Sequence, residues 1–502
     1  MKTIERSGSV ALTGAEFRAV GHELVDRIAD LIDGIAARPV ARWLAPRELR
    51  ALLPTGGMPE VGMDLQALFA ETLPRLIDTS TLNAHPRFFG YISGCPAPAG
   101  ILADLVASAV NPNCGSSILS PLATEIERQT VSWLAELLAF PAQCGGILVS
   151  GGNMANMVCF MAARAAHSPE ARTGGLRSLP APLIAYASAE THTWINKAAD
   201  LCGLGAESVR HVPLDGQYRM RAYALRDAIR EDLARGLRPF IVIATAGSVS
   251  TGAIDPIEEI AEICREHGIW LHIDGAYGAP AAMLPDADPD LKAIRLADSI
   301  AIDPHKWLYA PMEAGAALVR DPEALRNAFA YRPSYYKFEG TAEDPRTNYY
   351  EHGPQNSRGF RAFKVWIALR HLGRRNYERL IGEDIQLARL MFETAQAHPE
   401  LEALTHHLSI TTFRYVPAEL RENRGLPEVA SYLNELNTAI VGEMQSGGEV
   451  FLSNAVLDDR YALRACIVNF RTTQADALAT VEIAVRAGRE LDARLRPAAV
   501  TA

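Results

Sequence analysis

Four short segments of this 502-residue chain hold residue types that can do chemistry together. The first is Ser299–Trp307, SIAIDPHKW, where an apolar run meets a proline and then presents His305 and Lys306. A lysine at the end of a buried strand loses hydration, which favours the neutral, nucleophilic amine that a Schiff-base lysine requires. The second is Trp270–Tyr277, WLHIDGAY, where Asp274 closes an apolar run and the small Gly275 and Ala276 follow. A carboxylate there suits a flat ring whose protonated pyridine nitrogen needs an anionic partner. The third is Val149–Asn156, VSGGNMAN, a glycine turn that offers free N–H groups at a helix start to a phosphate. The fourth is Ala189–Trp194, AETHTW, which places His192 where an imidazole can stack on a ring or move protons. Singly, each has a plainer reading: a lysine reaching for solvent, an aspartate capping a turn, an ordinary glycine turn, a structural histidine. Jointly they supply an amine, a carboxylate for a pyridine nitrogen, a phosphate cradle and an imidazole.

The elements that must position them read as α/β. Apolar runs at Ile147–Val149, Leu183–Ala187, Phe240–Thr245, Ile269–Asp274, Ser299–Ile302 and Ala316–Val319 predict strands buried on both faces of a mainly parallel sheet. Helices are expected between them, near Asn153–Ala166, Trp194–Leu201 and Ile257–His267, and ligands belong beyond the carboxyl ends of the strands. Upstream, Thr13 and Glu16 form a capping box for a helix with an apolar stripe from Phe17 through Val20, Leu24, Ile28 and Leu31 to Ile35. Ser120 and Pro121 are expected to cap and start another helix, which stops before Pro141. Tyr335–Gly359 has no apolar period and is expected to be a lid or active-site loop. Strands at Ile410–Tyr415 and Tyr461–Asn469 belong to a smaller α+β unit. The chain therefore divides into a helical segment 1–85, a large α/β domain 86–375 and a small C-terminal domain 376–502.

Composition narrows the function classes. A net charge of −10 with interspersed signs gives no footprint for nucleic acid or an anionic membrane. No apolar run is long enough to span a bilayer, and the first twenty residues lack the apolar core of a signal peptide. Seven widely spaced cysteines without a Cys-x-x-Cys pair fit a reducing cytoplasm, and the histidines lack metal-ligand spacing, so no metal site is expected.

Across nearly the whole chain the sequence resembles the group II pyridoxal-phosphate-dependent amino-acid decarboxylases, most closely their aromatic-L-amino-acid branch. The motifs that carry the resemblance are HPRFFGY at 85–91, SGGN at 150–153, His192, HIDGAY at 272–277, PHKW at 304–307 and GFRAFKVW at 359–366. The resemblance implies fold type I, the aspartate aminotransferase-like fold of PLP-dependent transferases, and a homodimer whose N-terminal helices interlock. It implies that Lys306 binds pyridoxal 5'-phosphate covalently and that Asp274 holds the pyridine nitrogen, with Ala276 against the ring and His192 over it. Gly152, Asn153 and His305 would hold the phosphate. A catalytic loop tyrosine falls at Tyr349 by ungapped counting from Phe360, with Tyr350 one register away. Asn83, Tyr91, Ile92 and Asn113 would lie near the substrate, some in the neighbouring subunit's pocket.

The expected activity is α-decarboxylation of an L-amino acid to the primary amine and carbon dioxide, with aromatic substrates ranked before aliphatic and acidic ones. Decarboxylation coupled to oxidative deamination, giving an aldehyde, is the alternative, and Tyr349 argues against it. A PLP-binding protein without turnover is the alternative from another class. Two positions depart from the family. Asp303 stands where the family usually has Asn, and an ionised carboxylate there is expected to face away from the phosphate. Asn83, Asn113 and Gly115 replace bulky residues, which predicts a more polar pocket.

Overall fold

The structure, a computed structural model, describes residues 10–331, 341, 346–498 and 500. Its larger sheet has seven strands: β1 (Gly145–Val149), β2 (Leu183–Ser188), β3 (Val209–Val212), β4 (Arg238–Thr245), β5 (Trp270–Asp274), β6 (Ser299–Ile302) and β7 (Gly315–Val319). Their spatial order is β1-β7-β6-β5-β4-β2-β3. Strands β2 to β6 pair in parallel, and only β7 runs against its neighbours β1 and β6. The apolar runs reflect this burial: every residue of β1, β2, β6 and β7 is buried, because helices cover both faces. The expectations missed β3, an edge strand whose middle residues Arg210 and His211 are not buried and break the apolar run.

Strand polarity decides where chemistry can occur. Since β1 and β6 each run antiparallel to β7, β1 lies parallel to β6, and the carboxyl ends of β1, β4, β5 and β6 share one edge. In the register, Thr245 faces Asp274, and Asp274 faces Ala301. The Gly152–His167 helix leaves β1 at this edge and buries Ala155, Val158, Cys159 and Ala162 against Ile147, Ala301 and Ala317.

A second, four-stranded antiparallel sheet is built from β8 (Leu401–His407), β9 (Ile410–Tyr415), β10 (Ser453–Leu457) and β11 (Arg460–Cys466), in the order β10-β11-β9-β8. Only β9 and β11 were legible as apolar runs; β10 alternates buried and exposed residues. Residues 88–90 join this sheet's region: Phe88 bridges Phe451, and the Phe89 carbonyl accepts from Cys466 N–H at 3.0 Å. The segment assigned by sequence to the start of the large domain thus pairs with the C-terminal one.

The N-terminal helix Gly14–Gly34 starts at the expected capping box, with Thr13 Oγ1 accepting from Glu16 N–H and Glu16 accepting from Thr13 N–H. Neither this helix nor the next long one, Leu65–Thr79, has a buried residue. The helix Pro121–Leu137 starts as expected, but Ser120 does not cap it. Its hydroxyl instead donates to the Asn113 and Ser116 carbonyls, tying down the preceding loop. All seven cysteines are unpaired. Among the described residues no helix is long and apolar enough to cross a membrane, and no cluster of side chains could hold a metal ion.

Candidate active site

One cavity opens at the shared strand edge. Lys306, Asp274, Ala276, His192, Gly152 and Asn153 line it, together with Ile92, Thr245, Val249 and Asp303. Thus seven of the expected site residues meet within one chain.

Lys306 sits in the turn after β6. Its position is set from three sides. The Trp307 indole N–H and the Tyr309 hydroxyl both donate to Asp384 Oδ2 at 2.8 Å, bolting the turn to the helix Arg374–Ala397. Trp307 stacks on Tyr277 with ring centres 5.0 Å apart. The chain at Gly94 crosses so close that a Cβ there would strike the Lys306 carbonyl oxygen. Burial pushes the Asp384 carboxyl up to about 7. The Lys306 ammonium itself pairs with Asp303 Oδ2 at 3.1 Å.

Asp274 ends β5 and is buried. Its Oδ2 accepts the Trp194 indole N–H at 2.7 Å, and its Oδ1 accepts Ala276 N–H at 3.3 Å. Two residues upstream, His272 is fully buried, and its pKa is pushed down to about 4 by loss of hydration. Its hydrogen bonds then follow one direction. The Trp270 indole donates to Ser299 Oγ, whose hydroxyl donates to His272 Nδ1, leaving the Nε2 proton for Asn156 Oδ1 at 2.7 Å. Trp194 stands edge-on to the His272 ring at 5.7 Å. A buried, ordered platform therefore fixes the Asp274 carboxylate beneath the cavity.

The phosphate-type cradle has the expected build. Gly151 has φ +124°, a conformation open to glycine, and the Gly152–His167 helix starts one residue later with its first N–H groups unpaired. Gly315 of β7 packs directly on Gly151, where a Cβ would come within 2.5 Å of the Gly151 carbonyl carbon. His305 stands behind this turn. Its Nδ1–H donates to the Ala314 carbonyl at 2.7 Å, which leaves Nε2 facing Asp303 at 3.8 Å. His192 stands at the rim with Nδ1 accepting Trp194 N–H at 3.3 Å, and packing around the ring lowers its pKa below the ordinary histidine range.

Four expected site residues do not reach this cavity within the chain. Tyr349 is 2% exposed and packs among Ile147, Val149 and Ala155, with the Arg358 guanidinium 4.9 Å over its ring. Burial drives its hydroxyl well above the ordinary tyrosine range. Arg358 is itself buried in an ion pair with Glu127, and this pair closes the loop over Tyr349. The counting that selected Tyr349 located a core residue of the loop's return limb. Residues 332–340 and 342–345 of the expected lid lie outside the described residues.

Asn113 is committed to its own backbone, its Oδ1 accepting from Gly115 and Arg358 N–H groups. Gly115 is small because a Cβ would collide with the Asn356 carbonyl oxygen. These two positions therefore answer to chain crossing rather than to pocket polarity. Tyr91 is exposed, and its carbonyl accepts from Arg464 at 2.9 Å; Asn83 is half-buried outside the cavity.

Asp303 also corrects an expectation. Its carboxylate does not turn away from the cradle: a Cβ on Gly152 would lie 2.6 Å from Asp303 Oδ2. Sequence reasoning missed Trp194, Asn156, Ser299 and Arg464 as well. Trp194 was visible beside His192, as a hydrogen-bond donor at a helix start. Arg464 gave no local signal, because it arrives from β11. It is fully buried and donates to the Val249 and Tyr91 carbonyls, bracing Val249 in the cavity wall and the chain just before Ile92.

The donor set fits pyridoxal phosphate: a lysine amine, a carboxylate held by an indole, a small residue between them, and a glycine-opened helix start. Comparison with known proteins agrees. Residues 46–416 match the family described as the pyridoxal-dependent decarboxylase conserved domain. The chain is 33% identical over 473 residues to the aromatic-L-amino-acid decarboxylase of Bacillus atrophaeus, covering 94% of this chain and 95% of that one. The crystal structure of Oryza sativa TDC with PLP and tryptamine superposes with a TM-score of 0.88 at 25% identity, covering 96% of this chain and all of that one. Rhodiola rosea 4-hydroxyphenylacetaldehyde synthase superposes with a TM-score of 0.84 at 26% identity, covering 97% of this chain and all of that one.

Proposed function

The chain belongs to the pyridoxal-dependent decarboxylase family, and from that premise we propose that it converts an aromatic L-amino acid to the primary amine and carbon dioxide as a cytoplasmic homodimer. The observation that carries this reading is the meeting of Lys306, the Trp194-held Asp274 carboxylate and the Gly151–Gly152 helix start around one cavity. Pyridoxal phosphate, when bound, supplies the electron sink for the bonding pair left by the departing carboxyl carbon.

The chain's own residues have these tasks. Lys306 would hold the cofactor through its amine. Asp274 would hold a proton on the ring nitrogen, and the indole N–H of Trp194 keeps the carboxylate aimed. The helix N–H groups at Gly152 and Asn153, with His305, would take the phosphate. Ala276 would leave room for a flat ring, and His192 would close over it. His192, a titratable group on the rim, is the proposed carrier of the proton to the substrate α-carbon. Ile92 and Val249, braced by Arg464, are apolar walls suited to an aromatic side chain and help exclude water.

Aromatic substrates rank first because of the similarity to an aromatic-L-amino-acid decarboxylase, and because Asn113 and Gly115 are explained by loop packing. The homodimer is supported by the two long N-terminal helices without a buried residue, whose Phe17, Ile28, Phe69 and Leu76 are exposed. In such a dimer Asn83 and Tyr91 are proposed to face the neighbour's site. The cytoplasm is supported by seven unpaired cysteines. A second reading, oxidative production of an aldehyde, is favoured by the similarity to the Rhodiola aldehyde synthase and by the burial of Tyr349, which removes the argument against it.

The test is carbon dioxide release from a panel of L-amino acids by protein loaded with pyridoxal phosphate. Phenylalanine, tyrosine, tryptophan or a hydroxylated relative should exceed every aliphatic and acidic substrate at least tenfold in kcat/KM. A faster aliphatic or acidic substrate would overturn the aromatic assignment.

A further inference from the structure

Asp303 is a charged group that lies against both Lys306 and the helix start at Gly152, and no role proposed above uses it. It is 2% exposed. Its Oδ2 lies 3.1 Å from Lys306 Nζ and packs on Gly152 at the helix start, while Ala276 is bonded to its backbone. Its Oδ1 is buried without a hydrogen-bond partner. A buried carboxylate with one free oxygen is costly unless a cation stays beside it. That cation is Lys306; His305 Nε2 is the next basic group, at 3.8 Å.

We propose that Asp303 is a positioning residue that stabilises the cofactor-free enzyme and opposes cofactor loading. It clamps the Lys306 ammonium. A cofactor attached through Lys306 would take up that amine, and its phosphate, held by the N–H groups at the helix start, would face the same carboxylate. Both changes leave Asp303 less compensated than before. The consequence is an exchangeable cofactor: affinity is held below what the amine, the helix start and Asp274 would otherwise give. This inference rests on Lys306 being the attachment point.

The experiment uses full-length protein stripped of cofactor, as wild type and as Asp303→Asn, which keeps the shape and removes the charge. Equilibrium dialysis gives the Kd for pyridoxal phosphate, and thermal melts give Tm with and without it. Asp303→Asn is expected to bind pyridoxal phosphate at least tenfold tighter, to melt lower than wild type when empty, and to gain more in Tm on loading. Pyridoxal, which takes up the same amine but lacks the phosphate, should gain a smaller factor than pyridoxal phosphate does. Equal or weaker binding of pyridoxal phosphate would overturn the proposal. So would an equal gain for pyridoxal, or a fall in both melting temperatures with an unchanged loading increment, which a purely structural residue would give. If Asp303→Asn does not fold, Asp303→Ser is read by the same criteria. Borohydride reduction of loaded wild type followed by peptide mapping keeps the two levels apart. A cofactor fixed on a residue other than Lys306 would sink the site reading itself, whereas fixation on Lys306 with unchanged Kd values would sink only the role of Asp303.

Discussion

The carboxyl edge of the large sheet and the N-terminal helices are opposites in how their side chains are satisfied. At the sheet edge, Asp274, His272, Asn156, Ser299 and Trp194 are all buried, and each is hydrogen-bonded: Trp194 to Asp274, and His272 to both Ser299 and Asn156. In the helices Gly14–Gly34 and Leu65–Thr79, no residue is buried, and large apolar side chains meet solvent in the single chain. The first region completes itself by folding. The second has the amphipathic pattern of a core-facing element without a core in the single chain, which is the observation behind the proposed dimer. On the proposed reading, one chain places the cofactor, and closure of the site belongs to the proposed dimer.

The sharpest way to separate the regions is to break each alone. Lys306→Ala should lower turnover by more than a thousandfold and abolish borohydride-stable cofactor attachment, with the dimer intact by sedimentation. Loss of the dimer in that variant would show that the two regions are not independent. A double charge substitution on the stripe, Phe17→Glu with Ile28→Glu, should dissociate the dimer and reduce activity at least a hundredfold at low protein concentration. The large-sheet domain should keep its near-ultraviolet dichroism. A fully active monomer would contradict the division.

Smaller effects sharpen the first region. His272 stays neutral in the fold down to about pH 4, whereas its ordinary value is 6.5. The unfolded chain therefore takes up this proton first as pH falls. Stability is full above about pH 6.5 and is lost progressively toward pH 4, by about 3 kcal/mol for this group. Urea unfolding at pH 7 and pH 4.5 should show that loss, and His272→Asn should show less of it; an equal loss in the variant would assign the acid sensitivity elsewhere. The smallest effect belongs to Trp194→Phe, which removes the donor to Asp274 Oδ2. A charge-assisted hydrogen bond of about 1.5 kcal/mol predicts roughly tenfold weaker cofactor binding, with the fold unchanged. Unaltered cofactor affinity would show that Asp274 needs no indole to hold it.

The contrast also explains what the sequence made legible. Strands buried on both faces appear as unbroken apolar runs, and Lys306, Asp274, Gly152 and His192 were readable because each closes such a run. The edge strand Val209–Val212 and the alternating Ser453–Leu457 lacked that signature. Contacts distant in sequence left no trace. Arg464 arrives 215 residues after Val249, and the Trp194–Asp274 bond spans 80. Tyr349 lies away from the cavity of its own chain for a related reason: counting along a loop gives a position, not a direction, and the buried Arg358–Glu127 pair packs over it in the core. Asp303 was recognised as a departure, but its placement against Gly152 needed three dimensions.

The most direct test follows all products together. Loaded wild-type protein would be given its best aromatic substrate with and without oxygen, and carbon dioxide, amine, aldehyde and peroxide would be measured in the same reaction. Equal carbon dioxide and amine, unaffected by oxygen and without peroxide, is the predicted result. Aldehyde and peroxide in step with carbon dioxide would contradict the amine assignment, and a loaded protein that releases no carbon dioxide would contradict the proposed use of this site.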